Sequence, residues 1–445
     1  MQQQQGGSAL GPFETARVFS FTAPFPLLLP VRQIFKTTTE NDPAAATRHE
    51  MGKLRGLVEP GMRVAITAGS RGIRDLPVVL SAVGEWLREA GAKPFVVPAM
   101  GSHGGATGRG QIELLAHLGI TETQIGMPIL ATMDTVVIGQ CDNGPAVHLD
   151  ANAATADAIL LVNRVKPHTD FPGPVESGLA KICAIGLGKQ RGAEAIHAYG
   201  AEMLARWVPE VARRVMNTVN VLGGLAILEN AFDRTARVTF VRCQDIGGAG
   251  EARLLEEARS LMGSLPFDEL DVLVVDELGK DMSGSGLDTN VIGRRMVRGV
   301  EEFEHPRIRN ITVHSISQAS GGNALGIGLA DFVPFRVLEQ IDLRPMYVNA
   351  ITGGNSGTQR VQLPIAFATD RDVVAAAILT CGRADLTTVR LVRIHDTLDL
   401  SHLLVSESLR GSVENTPGLQ IEGDSLPMSF DKYGNLLGVV GQPTA

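Results

Sequence analysis

From residue 60 onward the apolar positions fall into two patterns that take turns along the chain, with glycine at nearly every change. Arg63-Val-Ala-Ile-Thr67 is a short β-branched run that stops in Ala68-Gly69-Ser70-Arg71-Gly72. Leu76, Val79, Leu80, Val83, Trp86 and Leu87 then recur three and four residues apart, which predicts a helix over 76–90, closed by Gly91. Residues 94–100 read as a second buried strand, ahead of Gly101-Ser-His-Gly-Gly-Ala-Thr107. Residues 111–118 read as the next helix, ended by Gly119. Further strands are expected at 135–138 and 158–162. A second unit of the same kind starts after Pro266, with strands at 271–275, 311–316 and 388–394 and a helix at 372–380. The alternation predicts an α/β protein of two domains with mostly parallel sheets, whose ligand-binding loops lie at the carboxyl ends of the strands. The boundary falls near 265–270. The polar stretch 405–445 is expected to return and complete the first domain, 1–265, leaving 266–404 as the second.

Composition narrows the class. Of 445 residues 50 are glycine, about one in nine against an average near 7%, and they are scattered without a collagen period. Such a supply suits tight turns and close backbone approach to something bound. Aromatic residues number 15 Phe, 3 Tyr and 2 Trp, too few for base-stacking or carbohydrate platforms. The net charge is −8 with no basic stripe, so a nucleic-acid partner is not expected. Cys141, Cys183, Cys243 and Cys381 form no CxxC pair; they suggest neither a disulfide framework nor a zinc knuckle and suit a reducing, cytoplasmic setting. The apolar stretch 18–31 is broken by Pro24, Pro26 and Pro30, so it reads as neither a signal peptide nor a membrane span. Gln2–Gln5 with the following glycines reads as a loose tail.

The phosphate motifs fail. Gly188-Lys189 resembles the end of a P-loop, but Cys183 stands where the first glycine belongs and Gln190 where a hydroxyl should hold magnesium. Gly247-Gly-Ala-Gly250 is not a dinucleotide fingerprint. His103, flanked by glycines just after a strand, and His168, in Arg164-Val-Lys-Pro-His-Thr-Asp170 after another, are each either plain loop histidines or site residues. Two of them after different strands of one sheet are a stronger signal. An opposed pair of imidazoles can add or remove a proton on either face of a substrate, which is what a racemase or epimerase requires. Ser177-Gly178 reads as a helix entry whose backbone N–H groups could hold an anion. Lys181 follows among Leu179, Ala180 and Ile182, where loss of hydration would make its amine nucleophilic unless it is simply a surface lysine. His197 lies on an expected helix with no second His or Cys three or four residues away.

The run Lys166-Pro-His168, Glu176-Ser-Gly-Leu-Ala-Lys181 and His197, with Gly101-Ser-His103 upstream, resembles the nickel-dependent lactate racemase family. The resemblance is closest between 60 and 200 and weak beyond. It implies a nickel-pincer nucleotide that brings three of its metal's ligands with it, tethered at Lys181, with His197 as the single protein ligand to nickel. It implies His103 and His168 as the acid/base pair, and Arg71 and Ser70 as contacts to the cofactor phosphate, with Arg71 also able to hold a substrate carboxylate. Ser177 and Gly178 join the cofactor contacts, and Lys280, in Glu277-Leu-Gly-Lys280, is the candidate for binding the substrate carboxylate. The implied activity is inversion of C2 in a 2-hydroxy acid by proton-coupled hydride transfer, an isomerase reaction. The first domain would bind the cofactor and the second close over substrate. Cofactor-synthesis and nickel-insertion proteins are the implied partners. Two departures stand out: the acidic residue usual before the first-loop Thr-Arg is missing from Ala68-Gly69-Ser70-Arg71, and 171–175 are additional residues expected to alter the rim. Thr352-Gly-Gly-Asn-Ser-Gly-Thr358 is a further rim element without a role. The alternatives are a metal-dependent hydrolase or dehydratase with His103, His168 and His197 as direct ligands, and a non-catalytic homologue that binds hydroxy acids.

Overall fold

The computed structural model describes residues 21–438 and 440–441; the glutamine-rich tail and the first residues of the stretch from Val18 lie outside them. The described strands are β1 (Leu27–Gln33), β2 (Arg63–Ala68), β3 (Lys93–Pro98), β4 (Thr135–Gln140), β5 (Ala146–Asp150), β6 (Ala158–Arg164), β7 (Val221–Glu229) and β8 (Thr235–Val241). They continue with β9 (Glu269–Val275), β10 (Arg307–Val313), β11 (Phe332–Pro334), β12 (Ile365–Phe367), β13 (Leu391–Ile394), β14 (His402–Ser406), β15 (Leu419–Ile421) and β16 (Leu426–Pro427). The protein is mixed α/β with mostly parallel pairing in its two large sheets, as the alternation predicts.

The first sheet runs β3-β2-β6-β7-β8, parallel except for β8. Its strands are apolar on both faces because helices cover both. Val64, Ile66, Leu160 and Val162 pack toward the helix Leu76–Glu89. Their neighbours in sequence, Ala65, Ile159 and Leu161, point the other way, toward Trp207, Val208 and Val211 of the helix Leu204–Thr218. The chain leaves β2 for β3 on one side and returns to β6 on the other. The order therefore switches between β2 and β6, and a crevice opens at their carboxyl ends. The strand expected at 135–138 exists, but it forms a separate antiparallel hairpin with β5 rather than joining this sheet.

The second sheet runs β12-β11-β10-β9-β13-β14-β1-β15, with β16 also on β1. The expectation that 405–445 returns to the first domain is corrected by the hydrogen bonds. Leu28 pairs with Ser406, Val31 with both Leu403 and Ile421, and Leu28 with Leu426, so the last strands and β1 extend the second sheet. Leu28, Leu29 and Val31 are buried there, and an apolar strand such as β1 needs partners on both edges.

Candidate active site

Three of the expected residues hang from loops at the carboxyl ends of parallel strands: His103 after β3, His168 after β6 and Lys280 after β9. β2 and β3 end in register, Ala68 opposite Pro98, which sets the Ser70–Arg71 loop beside the His103 loop. Ser70 Oγ lies 2.5 Å from His103 Nδ1. The half-buried ring has its pKa pushed down to about 3, first by burial and then by the charges of Arg71, Lys181 and Lys280.

His168 is fixed at three points. Its backbone N–H donates to Glu176 at 2.6 Å, its Nδ1 accepts the Asp170 backbone N–H at 3.0 Å, and its Nε2 lies 2.5 Å from Lys181 Nζ. The residues expected to reshape the rim fold beneath it instead. Phe171 is buried with its ring 4.6 Å from the imidazole, and Val175 is buried as well. Burial and the Lys181 charge hold His168 well below the usual histidine pKa. An imidazole whose Nδ1 accepts a hydrogen bond carries its proton on Nε2 when neutral. The Nε2 to Nζ contact is then an N–H donating to a nitrogen lone pair, which only a neutral amine offers. Lys181 is poised toward that form without being held in it: burial, then Arg71, lowers its pKa to about 8, so a minority of the amine is free at neutral pH, while Asp170 and Glu176 work in the opposite direction.

Lys181 ends a single helical turn, Leu179–Lys181, that widens into a π-helical turn over Ile182–Gly186 before the helix Lys189–His197. The wide turn brings Gly186 under the His103 loop, where Gly101 N–H donates to Gly186 O at 3.3 Å; a Cβ on Gly186 would fall 2.6 Å from Ala99 O. Ser177-Gly178 does not offer an anion site. The N–H of Ala180 is taken at 3.2 Å by the buried Glu251 carboxylate, which also accepts from Gly247 at 2.8 Å, and a Cβ on Gly178 would meet Glu251 Oε1 at 2.1 Å. A carboxylate of the protein's own already satisfies the helix start.

His197 stands on the last turn of its helix with Nδ1 2.7 Å from Ala193 O. Since a carbonyl only accepts, Nδ1 carries the proton and Nε2 keeps its lone pair. That is the tautomer of a metal-binding histidine, oriented by a backbone carbonyl on its other nitrogen.

The second sheet supplies the opposite wall. Lys280 Nζ donates to Gly284 O, and its pKa is lowered to about 8 by burial and then Arg71. Arg71 reaches over the same segment, with Nη2 3.0 Å from where a Gly284 Cβ would be. The segment 352–358 acquires a role through its surroundings: Ser356 Oγ donates to Asp170 at 3.3 Å, and Arg360, buried at the end of the helix Gly354–Arg360, lies 2.5 Å from Asp170 Oδ1. Arg360 also donates to Thr169 O, as does Thr289 Oγ1, and Lys166 pairs with Asp288 at 3.1 Å. Facing cations hold the Asp170 carboxyl far below the usual range. Arg71 lies close enough to lower the pKa of both Lys181 and Lys280, with Asp170 as an offset to each and Glu176 as a further offset to Lys181, so positive charge is concentrated here. Asp170, Glu176, Glu251 and Arg360 went without a role in the sequence. Asp170 and Glu176 lie inside the quoted motifs, whereas nothing near Arg360 or Glu251 signals their partners 190 and 71 positions away.

Among the described residues no group of three or more His, Cys, Asp or Glu side chains could hold a metal ion, and no helix is long and apolar enough to cross a membrane. No protein-family model and no curated protein matches the chain. Two solved structures are similar at low identity. One is a structural-genomics protein from Thermotoga maritima, with a TM-score of 0.43 and 14% identity over 62% of this chain and 71% of that one. The other is the lactate racemase apoprotein from Thermoanaerobacterium thermosaccharolyticum, with a TM-score of 0.41 and 10% identity over 77% of this chain and 98% of that one.

Proposed function

We propose that the protein is a racemase or epimerase that inverts C2 of a 2-hydroxy acid with a nickel-pincer nucleotide tethered at Lys181. The observation that carries this reading is the meeting of two histidines with lowered pKa, a lysine with its pKa lowered to about 8 and a histidine whose Nε2 lone pair is free, beside Arg71 and Lys280. The residues fit the cofactor. The lowered pKa of Lys181 raises the share of free amine that acylation requires, and His197 Nε2 is a donor in the right tautomer for nickel. Arg71, with Ser70 beside it, would hold the phosphate from the β2 side. The first sheet then carries the cofactor and the second closes over substrate.

When bound, the group supplies an acceptor that takes the C2 hydride and gives it back. The chain's own residues do the rest. Lys280 and Arg71 hold the substrate carboxylate and orient C2. With Nδ1–H donated to Ser70 Oγ, His103 Nε2 is free to take the hydroxyl proton. An acylated Lys181 nitrogen would no longer accept from His168 Nε2–H, so the His168 ring would be released toward the other face of the substrate. His103 and His168 then exchange the roles of base and acid according to the enantiomer bound. Their lowered pKa values keep both rings neutral until an anion enters; turnover would then require one ring as imidazolium to return the proton and the other with a free Nε2, so His168 would act as base only after its proton leaves Nε2.

A hydrolase or dehydratase with three direct histidine ligands is disfavoured. His103 Nδ1 and both nitrogens of His168 are engaged by protein groups, and no three ligands converge among the described residues. The test is co-expression with the cofactor-synthesis and nickel-insertion proteins. Lys181 should gain the cofactor's mass, each chain should hold about one nickel, and a pure 2-hydroxy acid enantiomer should lose its optical rotation. An unmodified Lys181 under those conditions would overturn the reading. A loaded protein inactive on a broad panel of chiral hydroxy acids would favour the non-catalytic homologue.

A further inference from the structure

Gly188-Lys189 fails as a phosphate loop, yet Lys189 is among the most deeply buried side chains described, with no accessible surface and a left-handed φ of +54°. That backbone turns its side chain inward. Its Nζ donates to Pro98 O at 2.5 Å and to Gln111 Oε1 at 2.9 Å, and forms an ion pair with Asp150 Oδ2 at 3.0 Å that lacks hydrogen-bond geometry. Those partners come from three separate segments: the end of β3, the helix Gly108–His117 and the end of β5.

The chain of contacts continues into the site. Gln111, fully buried, uses its amide nitrogen to hold Gly101 O at 3.0 Å and His103 O at 3.3 Å. Asp150 caps Ala153 N–H at 2.9 Å through its other oxygen, and its own N–H donates at 2.7 Å to Leu187 O, two residues before Lys189. Lys189 also begins the helix that ends at His197. One ammonium thus lies two hydrogen-bonded steps from the backbone of His103 and one short helix from His197. Buried ion pairs are seldom the most stable way to fill such a space, since apolar residues of similar size often serve as well or better. What such a pair, tied by further hydrogen bonds on both sides, does supply is a single geometry.

We propose that Lys189, braced by Asp150 and acting through Gln111, is a positioning residue that fixes the His103 loop against the helix bearing His197. It sets the separation between the proton-transfer ring and the metal donor. The inference rests on the roles given to His103 and His197 above, but its first test needs neither cofactor nor turnover.

Gln111→Met keeps the Lys189–Asp150 ion pair and removes the tie to the His103 loop together with one acceptor of Lys189 Nζ. Lys189→Met combined with Asp150→Asn removes the strut without leaving a bare carboxylate. In the full-length protein without cofactor, ring-carbon NMR should show the His103 titration rising from about 3 toward 6.5 in both variants, with His197 unmoved. In loaded protein, kcat should fall about 100-fold, with KM within about twofold and nickel content unchanged, as for a reacting group displaced by about 1 Å. A His103 titration that stays in place while thermal stability falls would overturn the proposal and leave Lys189 a purely structural residue. If the double variant does not fold, Gln111→Met decides alone. If loaded wild-type protein racemises nothing, the functional reading fails, and the NMR comparison still decides the strut.

Discussion

The Lys181 amine is the point at which the site's electrostatics can be measured directly. An ordinary lysine with pKa near 10.5 is under ~0.1% free amine at pH 7.4, whereas one at about 8 is roughly 20% free, a difference of ~250-fold in reactive species. Acetylation with a small excess of acetic anhydride, followed by peptide mass spectrometry, reads this out against the exposed Lys36 in the same chain. The modification rate at Lys181 should inflect near pH 8. Arg71→Met should move the inflection up, since Arg71 is the second cause of the shift, and Asp170→Asn should move it down. Stability carries the same signature. Folded Lys181 releases its proton near 8 and the unfolded chain near 10.5, so between these values the folded state binds fewer protons. Stability should therefore rise with pH across that window, by ~3 kcal/mol from this residue, with Lys280 adding in the same sense. An inflection at 10 or above, or one indifferent to Arg71, would refute the lowered Lys181 pKa and its electrostatic cause.

Other outcomes follow from the same contacts. His103→Ala and His168→Ala should each abolish racemisation in loaded protein while nickel stays bound; metal analysis beside polarimetry checks this, and an unchanged rate would sink the two-base assignment. Lys280→Met should raise KM for the hydroxy acid by tenfold or more, in proportion to the ~1.5–3 kcal/mol of a charged hydrogen bond, with a smaller effect on kcat. Arg360→Met should destabilise the chain by about 3–5 kcal/mol in urea at pH 7, because it strands the Asp170 carboxylate. A loss under ~1 kcal/mol would show that the pair is not a significant tie across the crevice.

How much of this was legible depends on how local each signal is. The helix Leu76–Glu89 and strands β2, β3 and β6 announce themselves because their burial is set by sequence neighbours, through spacings of three and four or through unbroken β-branched runs. The placement of 405–445 was not legible. β14 and β15 are short, and which sheet they join is decided by the unpaired edges of β1, nearly four hundred positions away. In the site, His103, His168, Lys181 and His197 stand in motifs, and the structure brings them to one crevice. The Ser177–Gly178 anion site was read correctly as a helix start and wrongly as vacant, since the carboxylate that fills it comes from Glu251 on another helix. Lys189 shows the reverse: the residue was noticed and its phosphate role rejected, while its inward turn could come only from the φ that the surrounding chain imposes.

The joining of β1 to the last strands has a consequence for how the chain is made. β1 emerges early, but its partner β14 follows about 370 residues later, a wait of roughly 20–70 s at ordinary rates of synthesis. The first sheet, whose strands lie between residues 63 and 241, can pair as soon as it leaves the ribosome. Leu28, Leu29 and Val31 meanwhile have no edge to join. The order of manufacture is therefore inside-out: the layer bearing His103, His168 and Lys181 is complete before the layer that carries Lys280 can close its sheet. A nascent chain arrested before residue 402 would leave β1 without β14, its apolar residues exposed to chaperones.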